Sequence, residues 1–439
     1  MAGARGSYSR TAWGRTGRKL KQKSLSEWLD VIESRHPANI ELGLDRLRQV
    51  QRRMGLVSIP FPVITVGGTN GKGSVVAMLE SVYLADGYSV AAYTSPHLMH
   101  YRERVRLDGV SVADETLVAS FERVDAACEG VALTYFEYGT LAAIDIFQRH
   151  NIDVAILEVG LGGRLDAVNA FDSDVAVVTS VGIDHREWLG DDRESIGFEK
   201  AGIFRAGRPV VCGDAEPPQS LCKIANDLNN RFYLHGLDFA FDCDGDCCRF
   251  TSSAGSIEEL PPPRLQGKFQ RNNAATALMA VRCLEDRLPV TAKAMSQGLR
   301  QVTLPGRYQQ VSVSPQILLD VAHNPEATRA LAELLAGDDI DGKTIAVVGM
   351  MADKALADCL SPLLNTVDIW HVTDLPPPRG AKADDLADIL KQLDSQTVVE
   401  SFTNIESALS AAQTTARPAD RILVFGSFVG VGAIMQQLI

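Results

Sequence analysis

Long apolar stretches are missing from this chain. In its 439 residues no run reaches the roughly 18 residues that cross a bilayer, so no segment reads as a membrane span. Positive charge is also short. The net charge is −12, which argues against broad binding to nucleic acid and leaves any anionic substrate to be held by local devices. The eight cysteines have no disulfide-like spacing, which fits a reducing cytosol. Cys243, Cys247 and Cys248 lie close together, but no further Cys or His pair completes a zinc set nearby. Their segment, FAFDCDGDCCRF, reads instead as two strands around an Asp-Gly turn. There is no internal repeat and no low-complexity region. The strict phosphate-loop ending, Gly-Lys-Ser/Thr, is absent as well, which argues against ordinary kinases and GTPases.

What is present lies close to that pattern. Phe61 to Ser74 reads FPVITVGGTNGKGS: a β-branched apolar run, a glycine-rich turn with one lysine, and then a helical pattern. Gly73 separates Lys72 from Ser74. A strand, a turn and a helix N-terminus in this order present backbone N–H groups to an anion, and the lysine neutralises it.

The length suggests two domains. Residues 1–23 hold Arg5, Arg10, Arg15, Arg18, Lys19, Lys21 and Lys23 and no acid. They read as a disordered basic tail, having no apolar face of the kind a transit peptide shows. Ser24-Leu25-Ser26-Glu27 is a capping box that opens a helix, and a second helix is predicted from Leu44 to Met54. Strands are predicted at 61–66, 88–93, 152–159, 174–181 and 208–212. Helices are predicted at 74–85, 115–128, 137–150, 191–204, 271–286 and 291–301. Near-continuous apolar strands such as DVAILEV suit a parallel sheet covered on both faces. Leu304-Pro305-Gly306 reads as the joint between a domain at 24–303 and a smaller α/β domain at 304–439, with strands at 316–320, 343–349, 367–373 and 420–426.

Four further motifs fall at or just after strand ends, where open α/β sheets bind ligands. They are Thr94-Ser95-Pro96-His97-Leu98, the run Glu158 to Asp166, Asp184-His185, and Phe198 to Ile203 on the next helix. Singly each has a plain structural reading: a strand-end charge, a satisfied histidine, a solvated lysine. Together they converge on one edge beside the phosphate loop, which those readings leave unexplained.

GTNGKGS, TSPHL, EVGLGGRLDA, DHREWLG, FEKAGI, NAATAL, LPGRYQ and LDVAHNP, in that order, resemble the folylpolyglutamate synthase family of the Mur ligase superfamily. The likeness is strongest to its bifunctional dihydrofolate synthase members, and it runs from about Leu25 to the C-terminus. It implies an α/β fold: an N-terminal P-loop-like Mur ligase ATPase domain with a mostly parallel sheet, and a smaller C-terminal Rossmann-like domain. It implies a ligase that uses ATP to phosphorylate a pteroate or folate carboxylate, after which the amine of L-glutamate attacks the acyl phosphate. The substrates would be dihydropteroate and tetrahydrofolate, handled by a cytoplasmic monomer without nucleic-acid or membrane partners.

By the same resemblance, Thr69, Asn70, Gly71, Lys72, Gly73 and Ser74 cradle the phosphates of ATP. Asn273, Arg307 and Asp320 complete the nucleotide site. Ser95, Glu158 and His185 hold Mg2+, with Mn2+ tolerated by the one imidazole. Lys200 matches a family lysine carbamylated by CO2, whose negative charge supports a second Mg2+; pairing of the bare lysine with a phosphate is the alternative. Lys72, Glu158, His185, Lys200 and His323 form the catalytic set. Dihydropteroate or folate is expected at Asn39, Ile40, Glu41 and Leu42, at Thr134, Tyr135, Phe136 and Glu137, and at Leu165, Asp166 and Ala167. Phe136 offers a face for a bicyclic ring, with ordinary core packing as an equal reading. His323 and Ser427 are expected to contact glutamate, with turn capping as the rival.

A cell-wall Mur ligase would need a UDP-sugar domain ahead of the loop, and about 60 residues are too few for one. A folylpolyglutamate synthase without the first activity stays open. A non-catalytic nucleotide switch could dispense with Glu158, His185 or Lys200, and all three are kept.

Overall fold

The computed structural model describes residues 23–36 and 41–438. Nearly all of the expected basic tail, and both Asn39 and Ile40, lie outside these.

Ser24 caps the first helix, Leu25–Arg35, as its spacing predicts. Its hydroxyl accepts from the Glu27 amide at 3.2 Å, and Glu27 accepts from the Ser24 amide at 2.7 Å. The chain then builds an eight-stranded sheet. Its strands are β1 Val63–Gly67, β2 Val90–Tyr93, β3 Val105–Leu107, β4 Val110–Ser111, β5 Val154–Glu158, β6 Val175–Val178, β7 Pro209–Cys212 and β8 Arg231–Leu234. They lie in the order β4-β3-β2-β5-β1-β6-β7-β8, parallel from β2 to β8, with β3 and β4 antiparallel at one edge.

Alternation along each central strand divides the core. Ile64 and Val66 of β1 join Val154 and Ile156 of β5 beneath the helices Lys72–Ala85 and Lys268–Cys283. Val63 of β1 with Ala155 and Leu157 of β5 face the helices Asp114–Cys128 and Tyr135–Gln148 on the other side. Both faces are buried, so these strands read as apolar runs. β1 lies at the middle, flanked by strands that come much later in the chain, and the crevice opens beyond its C-terminal end.

A small antiparallel sheet follows: β9 Phe239–Asp244, β10 Cys247–Ser252 and β11 Gly255–Leu260. The hairpin expected at Asp-Gly is β9–β10. It corrects the expectation of a chain without disulfides, because Cys243 and Cys248 oppose each other across it and are bonded. Directly opposed residues share a face of a sheet, whereas Cys247 points the other way. Strand alternation selects the pair, and cysteine spacing alone does not.

The second large sheet holds β12 Gln309–Val313, β13 Gln316–Leu319, β14 Thr344–Val348, β15 Ile369–Thr373, β16 Val398–Phe402 and β17 Arg421–Phe425. Its order is β12-β13-β17-β14-β15-β16, antiparallel only at β12. Helices cover both of its faces. One expected helix is corrected. The span 191–204 holds only Arg193–Ala201, preceded by a separate turn at Arg186–Leu189. Gly190, at φ +101°, breaks the chain between them, and the Asp192 side chain caps the second helix through the Ser195 amide at 2.7 Å.

Candidate active site

The turn after β1 is built for close approach. Gly68 sits at φ +143° and Gly71 at φ +89°. A Cβ on Gly68 would lie 1.9 Å from the Thr179 hydroxyl, and one on Gly71 would lie 2.5 Å from Asn273 Oδ1. The helix Lys72–Ala85 starts from Gly71 with no side-chain cap. Among the described residues the amides of Lys72, Gly73 and Ser74 have no acceptor, so three donors at a positive helix end face the cleft. Thr69 pins the turn through its amide to Ser180 O at 2.8 Å and its hydroxyl to Gly182 O at 3.0 Å. Lys72 Nζ rests on the carbonyls of Gly68 (3.0 Å) and Thr69 (3.1 Å). Burial lowers the Lys72 pKa, while Glu158 and Asp184 pull it up.

Glu158 ends β5, one strand from the turn. Burial raises its pKa, opposed mainly by Lys72 and by the Ser95 amide, which donates to Oε2 at 3.2 Å. His185 sits in the left-handed region at φ 52°, and burial depresses it to about 4, so its ring is neutral near pH 7. Asp184 beside it is held well below the usual carboxylate range. Burial works the other way, but His185 and Lys354 outweigh it. Lys354 Nζ lies 2.7 Å from Asp184 Oδ1.

Lys200 is 2% exposed, against its plain reading as a solvated lysine. Burial first, then Lys72, lower its pKa to about 7. Its Nζ makes no hydrogen bond among the described residues. Its helix is docked onto the glycine run after β5. Arg164 N donates to Glu199 O at 2.7 Å, and a Cβ on Gly163 would meet that same carbonyl at 2.6 Å. On the far side, a Cβ on Gly202 would lie 2.3 Å from the Arg164 Cβ.

The second sheet closes the cleft from above. Asp320 follows β13 and accepts from the amides of Tyr308 (2.8 Å) and Ala322 (2.7 Å). The Arg307 guanidinium stacks over Phe428 at 5.3 Å. His323 holds the Val321 carbonyl through Nδ1 at 2.8 Å, and burial lowers it to about 4. Ser427 caps the last helix, its hydroxyl accepting from the Gly430 amide at 3.0 Å, so the rival reading of that serine is realised in this structure. Asn324 caps the helix Pro325–Ala336 and also bridges the two lobes, donating to Asn70 Oδ1 at 2.9 Å. Asn70 Nδ2 in turn donates to Glu326 at 2.8 Å.

The other limb of the cleft is apolar. Phe136 packs on Tyr93 with centroids 5.8 Å apart, and Gly160 leaves the space its ring fills. Thr134 and Glu137 form a capping box for the helix Tyr135–Gln148, and Arg46 Nε lies 2.8 Å from Glu137. That uses most of their polar capacity; of these atoms only the buried Glu137 Oε1 has no partner among the described residues. Asp166 accepts from the amides of Leu161 (2.8 Å) and Val168 (2.9 Å), and burial pushes it up to about 7.

One cavity of about 810 Å³ gathers these groups. Of the expected residues within the described range, Glu41, Leu42, Thr69–Ser74, Ser95, Thr134, Phe136, Glu137, Glu158, Leu165–Ala167, His185, Lys200, Asn273, Arg307, Asp320, His323 and Ser427 all line it. Tyr135 does not: it turns away to pack on Tyr101. The sequence reading gave no role to Asp184 or Asn324, though both lie in motifs it singled out, and it did not reach Glu326 or Lys354. Lys354 follows β14, so the strand-end rule would have reached it.

Profile comparison matches residues 66–281 to the Mur ligase middle domain and 306–428 to the Mur ligase glutamate ligase domain. The dihydrofolate synthase/folylpolyglutamate synthase of Escherichia coli K12 is 42% identical over 413 residues, covering 94% of this chain and 95% of its own. The Haemophilus influenzae protein of the same name is 39% identical, covering 93% and 97%. Among solved structures, E. coli FolC in complex with DHPP and ADP superposes with TM-score 0.89 at 42% identity, covering 95% of this chain and 98% of that one. A bifunctional folylpolyglutamate synthase/dihydrofolate synthase with Mn, AMPPNP and L-glutamate bound gives 0.88, also at 42% identity and with the same coverage. Likeness on this scale spans both sheets and the cleft between them, and the chain belongs to the dihydrofolate synthase/folylpolyglutamate synthase family of Mur ligases.

Proposed function

We propose that this protein joins L-glutamate to dihydropteroate and to tetrahydrofolate at the expense of ATP, through an acyl phosphate. The observation that carries this is the pairing of two unlike limbs in one cavity. One presents three free helix-end amides, Lys72, Lys200 and Arg307. The other presents an apolar wall at Phe136, the Asp166 carboxyl and a Glu137 oxygen with no partner among the described residues. The first suits a polyphosphate, and the second suits a flat ring edged with N–H donors.

In this reading the amides of Lys72 to Ser74 and the Lys72 ammonium hold the β- and γ-phosphates. On nucleotide binding Lys72 exchanges the carbonyls of Gly68 and Thr69 for phosphate oxygens. Arg307 and Asp320 bring the second lobe onto the nucleotide, so lobe closure aligns the transferring phosphate with the substrate carboxylate. Ser95, Glu158 and the neutral His185 all line this cavity, and a buried carboxylate, a hydroxyl and an imidazole lone pair are the donor types that suit a divalent ion. When bound, such an ion supplies the charge that lets a phosphate and a carboxylate approach.

Lys200, with a pKa near 7, has the neutral amine that addition to CO2 requires. That step forms an N–C bond and releases a proton, leaving an anionic carbamate in the cleft. His323 and Ser427 remain our assignment for the incoming glutamate. Residues 24–303 and 304–439 remain our division into domains, and a cytoplasmic monomer our reading of its state.

The test is glutamate-dependent ADP release with dihydropteroate or tetrahydrofolate as acceptor. Turnover with both supports the reading. Turnover with tetrahydrofolate alone removes the first activity, and ADP release without either acceptor favours a nucleotide switch.

A further inference from the structure

The two acceptors differ in one charge. Dihydropteroate carries a single carboxylate, which is the group that reacts. Tetrahydrofolate ends in a glutamate whose γ-carboxylate reacts while its α-carboxylate is left over. Inside the cleft that spectator anion needs a cation of its own, because a buried unpaired charge is strongly disfavoured.

Most cations on the cleft wall are committed. Lys72 and Arg307 act on Glu158 at the phosphate end, and Lys200, buried beside Lys72, has its charged form disfavoured. Lys354 pairs with Asp184, and Arg379 pairs with Asp353. Arg104 lines the same cavity and forms no ion pair among the described residues. Its Nε donates to His97 Nδ1 at 2.8 Å, and its guanidinium lies 5.4 Å from the Tyr101 ring and 5.7 Å from the Tyr135 ring. These contacts fix the plane of the group but leave its terminal nitrogens without an acceptor among the described residues. They also place it. The Arg104 carbonyl accepts from the Thr94 amide at 2.9 Å, next to Ser95, which bonds Glu158, and the Arg104 charge acts on Tyr93, whose ring packs on Phe136. Arg104 therefore stands between the phosphate end and the ring end, where a branch leaving the substrate's tail would pass.

We propose that Arg104 binds the spectator α-carboxylate of the folyl substrate and so separates the two acceptor specificities. This rests on the functional reading above. A planar guanidinium already held on one edge and against two rings is suited to a two-point contact with a carboxylate.

The test compares KM and kcat for tetrahydrofolate and dihydropteroate in the wild type, Arg104→Gln and Arg104→Lys. A tetrahydrofolate analogue with an α-carboxamide is added as a third acceptor. The expected result is a KM for tetrahydrofolate raised ~10- to 100-fold in Arg104→Gln, the size of a lost charge-assisted hydrogen bond. Its kcat and the KM for dihydropteroate should hold, and Arg104→Lys should recover part of the loss. The wild type should bind the carboxamide as weakly as Arg104→Gln binds tetrahydrofolate. Equal losses for both acceptors, no loss for either, or a carboxamide bound as well as tetrahydrofolate by the wild type would overturn the proposal. The last comparison needs no variant. A wild type inactive on both acceptors would instead overturn the functional reading.

Discussion

Among single residues Lys72 has the narrowest task. In this structure it rests on two carbonyls of its own turn, contacts that a phosphate would replace. Lys72→Ala should cut glutamate-dependent ADP release by at least ~10²-fold, as removal of a positioned charge donor does, while the melting temperature stays near wild type. Lys200 has a different signature. If a carbamate acts there, Lys200→Ala should be nearly inactive and partly restored by formate or acetate. Lys200→Arg, which cannot take up CO2, should not be restored. Activity of Lys200→Ala without added carboxylate would remove the residue from the mechanism. Glu158, His185 and Lys200 were legible because each lies in a motif at or beside a strand end. Asp184 was less so: a carboxylate beside a proposed ligand looks like a spectator until Lys354 arrives from the other sheet to pair with it. Tyr135 fails for a similar reason. Its neighbour Phe136 does face the cleft, but on a helix adjacent positions point about 100° apart, and the first turn of this one sends Tyr135 to Tyr101.

The elements behind the apolar limb depend on a buried carboxylate. Asp145, 4% exposed, accepts from Ser120 Oγ at 2.7 Å, Arg123 Nε at 2.8 Å and Arg149 Nε at 3.0 Å, tying the helices Asp114–Cys128 and Tyr135–Gln148 together. Burial would raise its pKa, but the bonds from Arg123, Ser120 and Arg149 win and lower it below 3.8. The sign follows: the folded state favours the ionised form, so this stabilisation is present above about pH 4 and is lost as the pH falls below it. Asp145→Asn should lower unfolding free energy at pH 7 by roughly 2 kcal/mol. It should also flatten the loss of stability between pH 5 and pH 3, read from urea midpoints. Helix positions in this half were legible from caps and periodicity, whereas their ends were not always so. A 3.6-residue pattern runs through 191–204, but Gly190 and Asp192 set where the helix can begin. Only backbone geometry shows that Arg186–Leu189 is a separate turn.

At the scale of the molecule, two sheets share one cavity, and Asn324 reaches across to Asn70 on the phosphate turn. A ligand bound between lobes stabilises both at once. Mg2+ with ADP at about 100 times its Kd should add roughly 2.7 kcal/mol, seen as a rise in melting temperature. EDTA should remove most of that rise if a metal at Ser95, Glu158 and His185 helps hold the phosphates. A shift indifferent to EDTA would count against that ligand set. The two-sheet plan was legible because apolar strands alternate with helical segments, and Leu304-Pro305-Gly306 falls between the two blocks. The edges were harder. β3, β4, β12 and β16 are short or half-exposed, and such strands carry little apolar signal.

The glycines at 163 and 202 give two distant stretches of chain a common fate. Each leaves just enough room for the other's backbone, and Arg164 is threaded between them. A designer who transplants the lysine-bearing stretch into a related scaffold must carry its counterpart along, since either half alone would arrive without the surface it was cut to meet.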